Sequence, residues 1–289
     1  METRPTPSDD HWGEDDNAHR YDAYAREFPS YRETSQDLIA VALPSDDAGL
    51  ADAAVLDLAC GTGATTREIL AMLGSDGRVT AVDKSAAMLA VAARYTPDPR
   101  ITWTNARAES VDQHVTEPVD AVICNSAIWQ TDFEATARAV RAVMKPGCRF
   151  AFNVPVDFLR DADSHRPDDR YPPLLSEMRA IAEREYGWVP DNRAPRIRRR
   201  LSRELICRAL MAAGYDVEQV TDVTHEDSAE SQHAWLRIPI FTRDRLSGLP
   251  YEERMRVLDK AYERLGPGLT EQARWVVFAA RSNPKMTRS

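Results

Sequence analysis

The residues best placed to do chemistry lie in Val55-Leu-Asp-Leu-Ala-Cys-Gly-Thr-Gly-Ala-Thr-Thr-Arg-Glu68. Gly61 and Gly63 stand where a short β-like run must turn into a helix, and a glycine there lets a ligand approach the backbone. Two carboxylates accompany them: Asp57 inside the end of the first run, and Asp83 at the end of the second. In a doubly wound fold the acid after the second strand is the one that can accept from two ribose hydroxyls. A dinucleotide site would want a third small residue in G-x-G-x-x-G, but that position is Thr66. An acid at Asp57 would also repel a pyrophosphate while attracting an ammonium group. A cofactor with an amino-acid tail therefore fits better than one with a diphosphate, which disfavours a nicotinamide-dependent oxidoreductase.

Those residues need a sheet to hold them. Runs at Ala54–Leu58, Arg78–Val82, Ile101–Thr104, Ala121–Cys124 and Arg149–Asn153 alternate with helical stretches, and that alternation implies a parallel sheet of right-handed βαβ units. Thr65-x-x-Glu68 has the form of a capping box, Thr131 or Asp132 can cap a helix that Pro146-Gly147 ends, and Ser202 can cap one ending at Gly214. The expected fold class is α/β: a doubly wound, mostly parallel seven-stranded sheet with helical cap insertions. Its expected divisions are a disordered tail (1–17), an N-terminal helical lid (18–49), the cofactor core (50–154), a cap insertion (155–200), a core helix and strand (201–224), a second cap insertion (225–270) and a final strand and tail (271–289).

The motif order resembles that of the class I S-adenosylmethionine-dependent methyltransferases, of small-molecule type. Val55–Leu70 is similar to their first motif, Val82-Asp-Lys-Ser-Ala-Ala-Met-Leu89 to their second, and Val119–Ala127 and Val143–Phe150 to the later ones. The resemblance implies that S-adenosyl-L-methionine is the cofactor, with Gly61 and Gly63 lining its methionine moiety, Asp57 orienting the amino group, Asp83 holding the ribose and Met88 packing on the adenine. Ala59 and Lys84, in the same two turns, join the expected contacts. Where the family often has Gly-Asp-Ala after strand three, this chain has Ala106-Arg107-Ala108-Glu109; adenine recognition would then fall to the Ala108 backbone and Glu109. Asn125, at the carboxyl end of strand four, stands beside the switch point where such sheets bind ligands.

The rest of the chain bounds the substrate. A formal charge of −9 speaks against nucleic acid and anionic membrane as partners. Asn125-Ser-Ala-Ile128 replaces the Asn/Asp-Pro-Pro-aromatic motif of enzymes that methylate amino groups of adenine or glutamine, and no acidic metal cluster is visible. A small-molecule methyl acceptor is expected, for O-, N- or C-methylation, with no metal. Tyr21, Trp129 and Trp235 are the candidate lining of its site, and His233, beside Trp235, is the candidate proton acceptor. The basic residues Arg193, Arg196, Arg198, Arg199 and Arg200 could meet an anion but read better as a solvated face. Scattered Cys60, Cys124, Cys148 and Cys207, with no apolar leader or membrane-length run, suit a cytoplasmic monomer or homodimer. A second reading keeps the fold and the cofactor but no methyl transfer, the protein serving as a binding module or a rearrangement catalyst.

Overall fold

The computed structural model describes residues 11–14, 16–43, 50–160, 172–190 and 201–284. Seven strands form one sheet: β1 (Ala54–Leu58), β2 (Arg78–Asp83), β3 (Ile101–Asn105), β4 (Val119–Cys124), β5 (Met144–Pro155), β6 (Tyr215–Ser228) and β7 (Thr270–Ser282). Their order is β3-β2-β1-β4-β5-β7-β6. The first five are parallel, and β7 runs antiparallel to both β5 and β6. Every residue of β1 is buried, as expected of a parallel strand covered on both faces. Leu56, Leu58, Val122, Phe150 and Phe152 pack on one face; Val55, Val79, Ala121, Ile123 and Ala151 pack on the other.

Helices cover both faces: α1 (Asn17–Glu27), α2 (Ser30–Ala42), α3 (Ala64–Met72), α4 (Ala86–Tyr95), α5 (Phe133–Val143), α6 (Pro173–Tyr186), α7 (Arg203–Ala212), α8 (Ala229–Leu236), α9 (Pro239–Arg243) and α10 (Tyr251–Leu265). Asp132 caps α5 by accepting from the Ala135 amide at 3.1 Å, and Ser202 caps α7 by accepting from the Leu205 amide at 3.2 Å. The capping box at Thr65 does not form, because α3 is capped two residues earlier, at Gly63 in the left-handed region. The Thr65 hydroxyl is instead shared with Ser35 of α2, at 2.9 Å. Helix α5 also ends before Pro146, at Val143, and the chain passes directly into β5.

The cap has its own apolar core, in which Leu174, Met178 and Ile181 of α6 meet Leu236 of α8 and Val257 and Leu258 of α10. The segment 225–270 is not wholly an insertion. His225–Ser228 continue β6 and pair with Thr270–Ala273 of β7, whereas β5 reaches β7 only as far as Trp275. The two antiparallel strands thus run on past the carboxyl edge of the parallel sheet as a ribbon. The tail also differs from expectation: His11–Gly13 form a short 3-10 turn, because Trp12 finds edge-on partners in Tyr21 (5.3 Å) and Phe241 (5.8 Å). The basic residues Arg193, Arg196, Arg198, Arg199 and Arg200 lie outside the described residues.

Candidate cofactor and acceptor site

The turn after β1 is stitched to the end of β2. The Cys60 amide donates to the Val82 carbonyl at 3.0 Å, and the Gly61 amide donates to Asp83 Oδ2 at 2.8 Å. Asp83 Oδ1 accepts from the Ser85 amide at 2.8 Å, so backbone donors aim this carboxylate across the turn. The turn demands left-handed conformations at Ala59 (φ +57°) as well as at Gly61 and Gly63. Alanine tolerates that region only at a local cost of about 1–2 kcal/mol. At Gly63 a side chain would also meet the Trp103 ring at 2.9 Å, which explains why the helix enters on a glycine.

Asp57 is 1% exposed. Its Oδ2 accepts from the Thr66 hydroxyl at 2.5 Å, tying β1 to α3, while its Oδ1 has no hydrogen-bond partner. Burial pushes its carboxyl up to about 7; the Thr66 hydroxyl bond opposes this and the nearby Asp83 charge adds to it.

A crevice of about 100 Å³ follows this turn. It brings together Ala59, Gly61, Asp83, Lys84, Met88, Ala108, Glu109, Asn125 and Tyr21. Asp57 and Gly63 are not part of its lining: Asp57 is buried behind the turn, and Gly63 serves the helix start against Trp103. Trp12 and Tyr31 also line the crevice. Small-ligand sites span roughly 300–1,000 Å³, so an adenosyl compound needs more room than this crevice of about 100 Å³ provides.

Several of these residues also have structural duties. Met88 is 3% exposed and packs with Ala18, Val91, Trp12 and Tyr21. Glu109 accepts from the Asp132 amide at 2.9 Å, at the start of α5, and lies 3.5 Å from the Arg107 guanidinium. The Asn125 side-chain amide donates to Ser35 Oγ (3.0 Å) and Thr34 Oγ1 (3.1 Å), and its Oδ1 accepts from Asn153 Nδ2 at 2.9 Å. Asn125 therefore clamps α2 onto the carboxyl ends of β4 and β5.

The crevice adjoins a second, larger cavity of about 1470 Å³. Tyr21, Tyr31, Ser126 and Gln130 line both. Trp129 and Trp235 line the larger one: Trp129 stacks on Phe158 with centroids 4.8 Å apart, and Trp235 on Phe241 at 3.8 Å. Burial pushes the Tyr21 phenol well up and the Tyr31 phenol up, and the two ring centroids lie 5.1 Å apart. The lid helices contribute Tyr31 to this cavity, the first cap segment Phe158 and Leu175, and the ribbon with the second cap segment Asp227 and Trp235. His233 does not line it. Its Nε2 is 2.8 Å from Asp259 Oδ1 and its ring lies 4.6 Å from that of Tyr262, so α10 draws it out of the site. Among the described residues no cluster suited to a metal ion is present.

Sequence reasoning missed Trp12, Tyr31, Ser126 and Gln130. The signal for Ser126 is its place after β4, where it takes φ +56° and donates its amide to Asn153 Oδ1 at 2.7 Å.

Residues 55–147 match the family model described as "Methyltransferase domain". The chain is 32% identical over 119 residues to a trans-aconitate 2-methyltransferase from Delftia acidovorans, covering 39% of this chain and 41% of that protein. It is 34% identical over 105 residues to a ribosomal RNA small subunit methyltransferase H from Aromatoleum aromaticum, covering 35% of this chain and 31% of that one. The chain thus spans less than half the length of either curated relative. The solved structure of the YcgJ protein from Bacillus subtilis superposes with a TM-score of 0.55 at 15% identity, over 87% of this chain and 99% of that one, which shows a shared fold. The groups present fit an adenosyl cofactor with an amino-acid tail: a glycine turn open to close approach, a carboxylate aimed by backbone amides, and in Asp57 Oδ1 a buried acceptor without a partner beside that turn. Residues 55–147 of this chain are thus similar to a methyltransferase domain, and the groups at the turn suit S-adenosyl-L-methionine as its cofactor.

Proposed function

We propose that the protein is an S-adenosylmethionine-dependent methyltransferase acting on a small molecule. The observation that carries this reading is the junction at Tyr21, Tyr31, Ser126 and Gln130, where the crevice beside Gly61 and Asp83 opens into the aromatic-walled cavity of about 1470 Å³. Ligands of open α/β sheets bind at this carboxyl edge. When bound, the cofactor would supply an electrophilic methyl group. Asp83 would hold its ribose, Gly61 and Ala59 would pass under its methionine moiety, Asp57 would place negative charge behind the turn, and Met88 and Ala108 would flank the adenine. Lys84 and Glu109 stand at the same rim, and Asn125 acts by holding α2 in place.

Around the acceptor, Tyr21, Trp129 and Trp235 would exclude water and hold the attacking atom near the junction. Alignment and desolvation supply much of the rate gain in such a displacement. No role falls to His233 in this arrangement. The Tyr21 and Tyr31 phenols, raised by burial, stay protonated and act as hydrogen-bond donors. The lid and both cap segments contribute walls to the cavity, which is also open to solvent.

A small acceptor is favoured over nucleic acid because the chain carries a net charge of −9. The four free cysteines suit a cytoplasmic setting, and no helix among the described residues is long and apolar enough to cross a membrane. Incubation with methyl-labelled S-adenosylmethionine, and in turn with a small-molecule extract and with total RNA, tests the reading. Label is expected in the small-molecule fraction; label in RNA alone would overturn it.

A further inference from the structure

The walls of the larger cavity differ in charge from what the curated relatives' named substrates, a polycarboxylate and a ribosomal RNA, would lead one to expect. Carboxylates come from every side: Glu134 of α5, Asp157 after β5, Asp227 of β6 and Asp244 after α9. The arginines among the described lining residues are Arg107 and Arg245, and both are engaged. Arg107 lies 3.5 Å from Glu109. Arg245 donates to the Phe241 carbonyl and lies 5.1 Å from the centroid of Trp235.

Asp227 is the most telling of the acids. It is half-buried, the Ser30 hydroxyl donates to its Oδ1 at 3.4 Å, and no cation among the described residues pairs with it. Burial pushes its carboxyl up, and the nearby Glu33 charge pushes in the same direction. The neighbouring His225 offers no relief, since its ring is already held by Asp37 at 2.6 Å and Glu33 at 3.5 Å. A half-buried carboxylate without a counter-charge is costly unless a ligand supplies one. Asp157 likewise makes no hydrogen bond or ion pair among the described residues. It adjoins Phe158, which stacks on Trp129, and Trp275 lies 6.5 Å from Trp129. Indole faces beside unpaired carboxylates attract a cation twice over, through the ring quadrupole and through charge.

We infer that the cavity takes a cationic acceptor: a small amine carrying an aromatic or apolar body, its charge met by the carboxylates that line the cavity, Asp227 and Asp157 among them, and its body by the aromatic walls that include Trp129 and Trp275. This rests on the reading of the cavity as the acceptor site. Three ligands of one shape and different charge test it by calorimetry on the full chain, with and without S-adenosylhomocysteine: 2-phenylethylammonium, 2-phenylethanol and 3-phenylpropionate. The ammonium is expected to bind at least about tenfold more tightly than the alcohol, the scale of one charge-assisted contact, and the carboxylate weakest of all. Asp227→Asn should remove most of that preference while leaving the alcohol and S-adenosylhomocysteine affinities unchanged. Asp157→Asn, at an exposed position, gives the same test should the first variant not fold. Tighter binding of the carboxylate, or no difference between ammonium and alcohol, including no binding of either, overturns the inference. Failure of S-adenosylhomocysteine to bind the wild-type protein would instead defeat the cofactor reading, whatever the amines do.

Discussion

Replacing Asp57 by Asn should change the pH dependence of stability in a calculable way. In the unfolded chain this carboxyl titrates at its ordinary value of 3.8, and in the folded protein at about 7, mainly because burial disfavours the ionised form. Between those values the folded protein binds more protons than the unfolded one, so stability falls as pH rises and then levels off above pH 7. At about 1.36 kcal/mol for each pH unit separating the two values, the full cost of holding Asp57 ionised is about 4 kcal/mol, of which about 2.5 kcal/mol develops between pH 5 and pH 8. Asn cannot ionise, so Asp57→Asn lacks this slope. Its amide group would lack a partner where Oδ1 lacks one now, a pH-independent loss of about 1–3 kcal/mol. Urea unfolding of both proteins at pH 5 and pH 8 isolates the effect, since every other titrating group cancels in the comparison. The variant should gain about 2.5 kcal/mol on the wild type between the two pH values. A difference between the two proteins that stays the same at both, within about 0.5 kcal/mol, would refute the claim that Asp57 is ionised at a cost.

Two further substitutions probe the turn and His233. Gly63→Ala must hold alanine at φ +80° with its Cβ 2.9 Å from the Trp103 ring, and should lose about 1–3 kcal/mol of stability by denaturant unfolding. His233→Ala should cost about 1 kcal/mol through the lost Asp259 contact, and should leave S-adenosylhomocysteine affinity and its pH profile unchanged in calorimetry.

What could be read from the sequence was local. The turn at Gly61 and the carboxylate at Asp83 were legible because a parallel strand entering a helix constrains its own residue types, and Asp132 and Ser202 were legible as caps for the same reason. What escaped was set by distant partners. Trp12 orders a polar stretch only because Tyr21 and Phe241 receive it, and nothing near it in the sequence carries that information. His233 looked free until Asp259, a helix away in sequence, claimed it. The ribbon at His225–Ser228 has no apolar alternation to mark it as strand; its pairing with β7 decides the matter. Asp57 had the right residue type at the right spacing, but burial behind the turn was not visible in either.

The central claim is that the crevice joined to Gly61 and Asp83 holds the adenosyl cofactor, and calorimetric titration of S-adenosylhomocysteine into wild type and Asp83→Ala tests it most directly. The account predicts saturable one-to-one binding to the wild type, weakened in a folded Asp83→Ala by about 1.5–3 kcal/mol, the range for hydrogen bonds to a charged group. No binding to the wild type at millimolar concentration, or an unchanged dissociation constant in the folded variant, would contradict it.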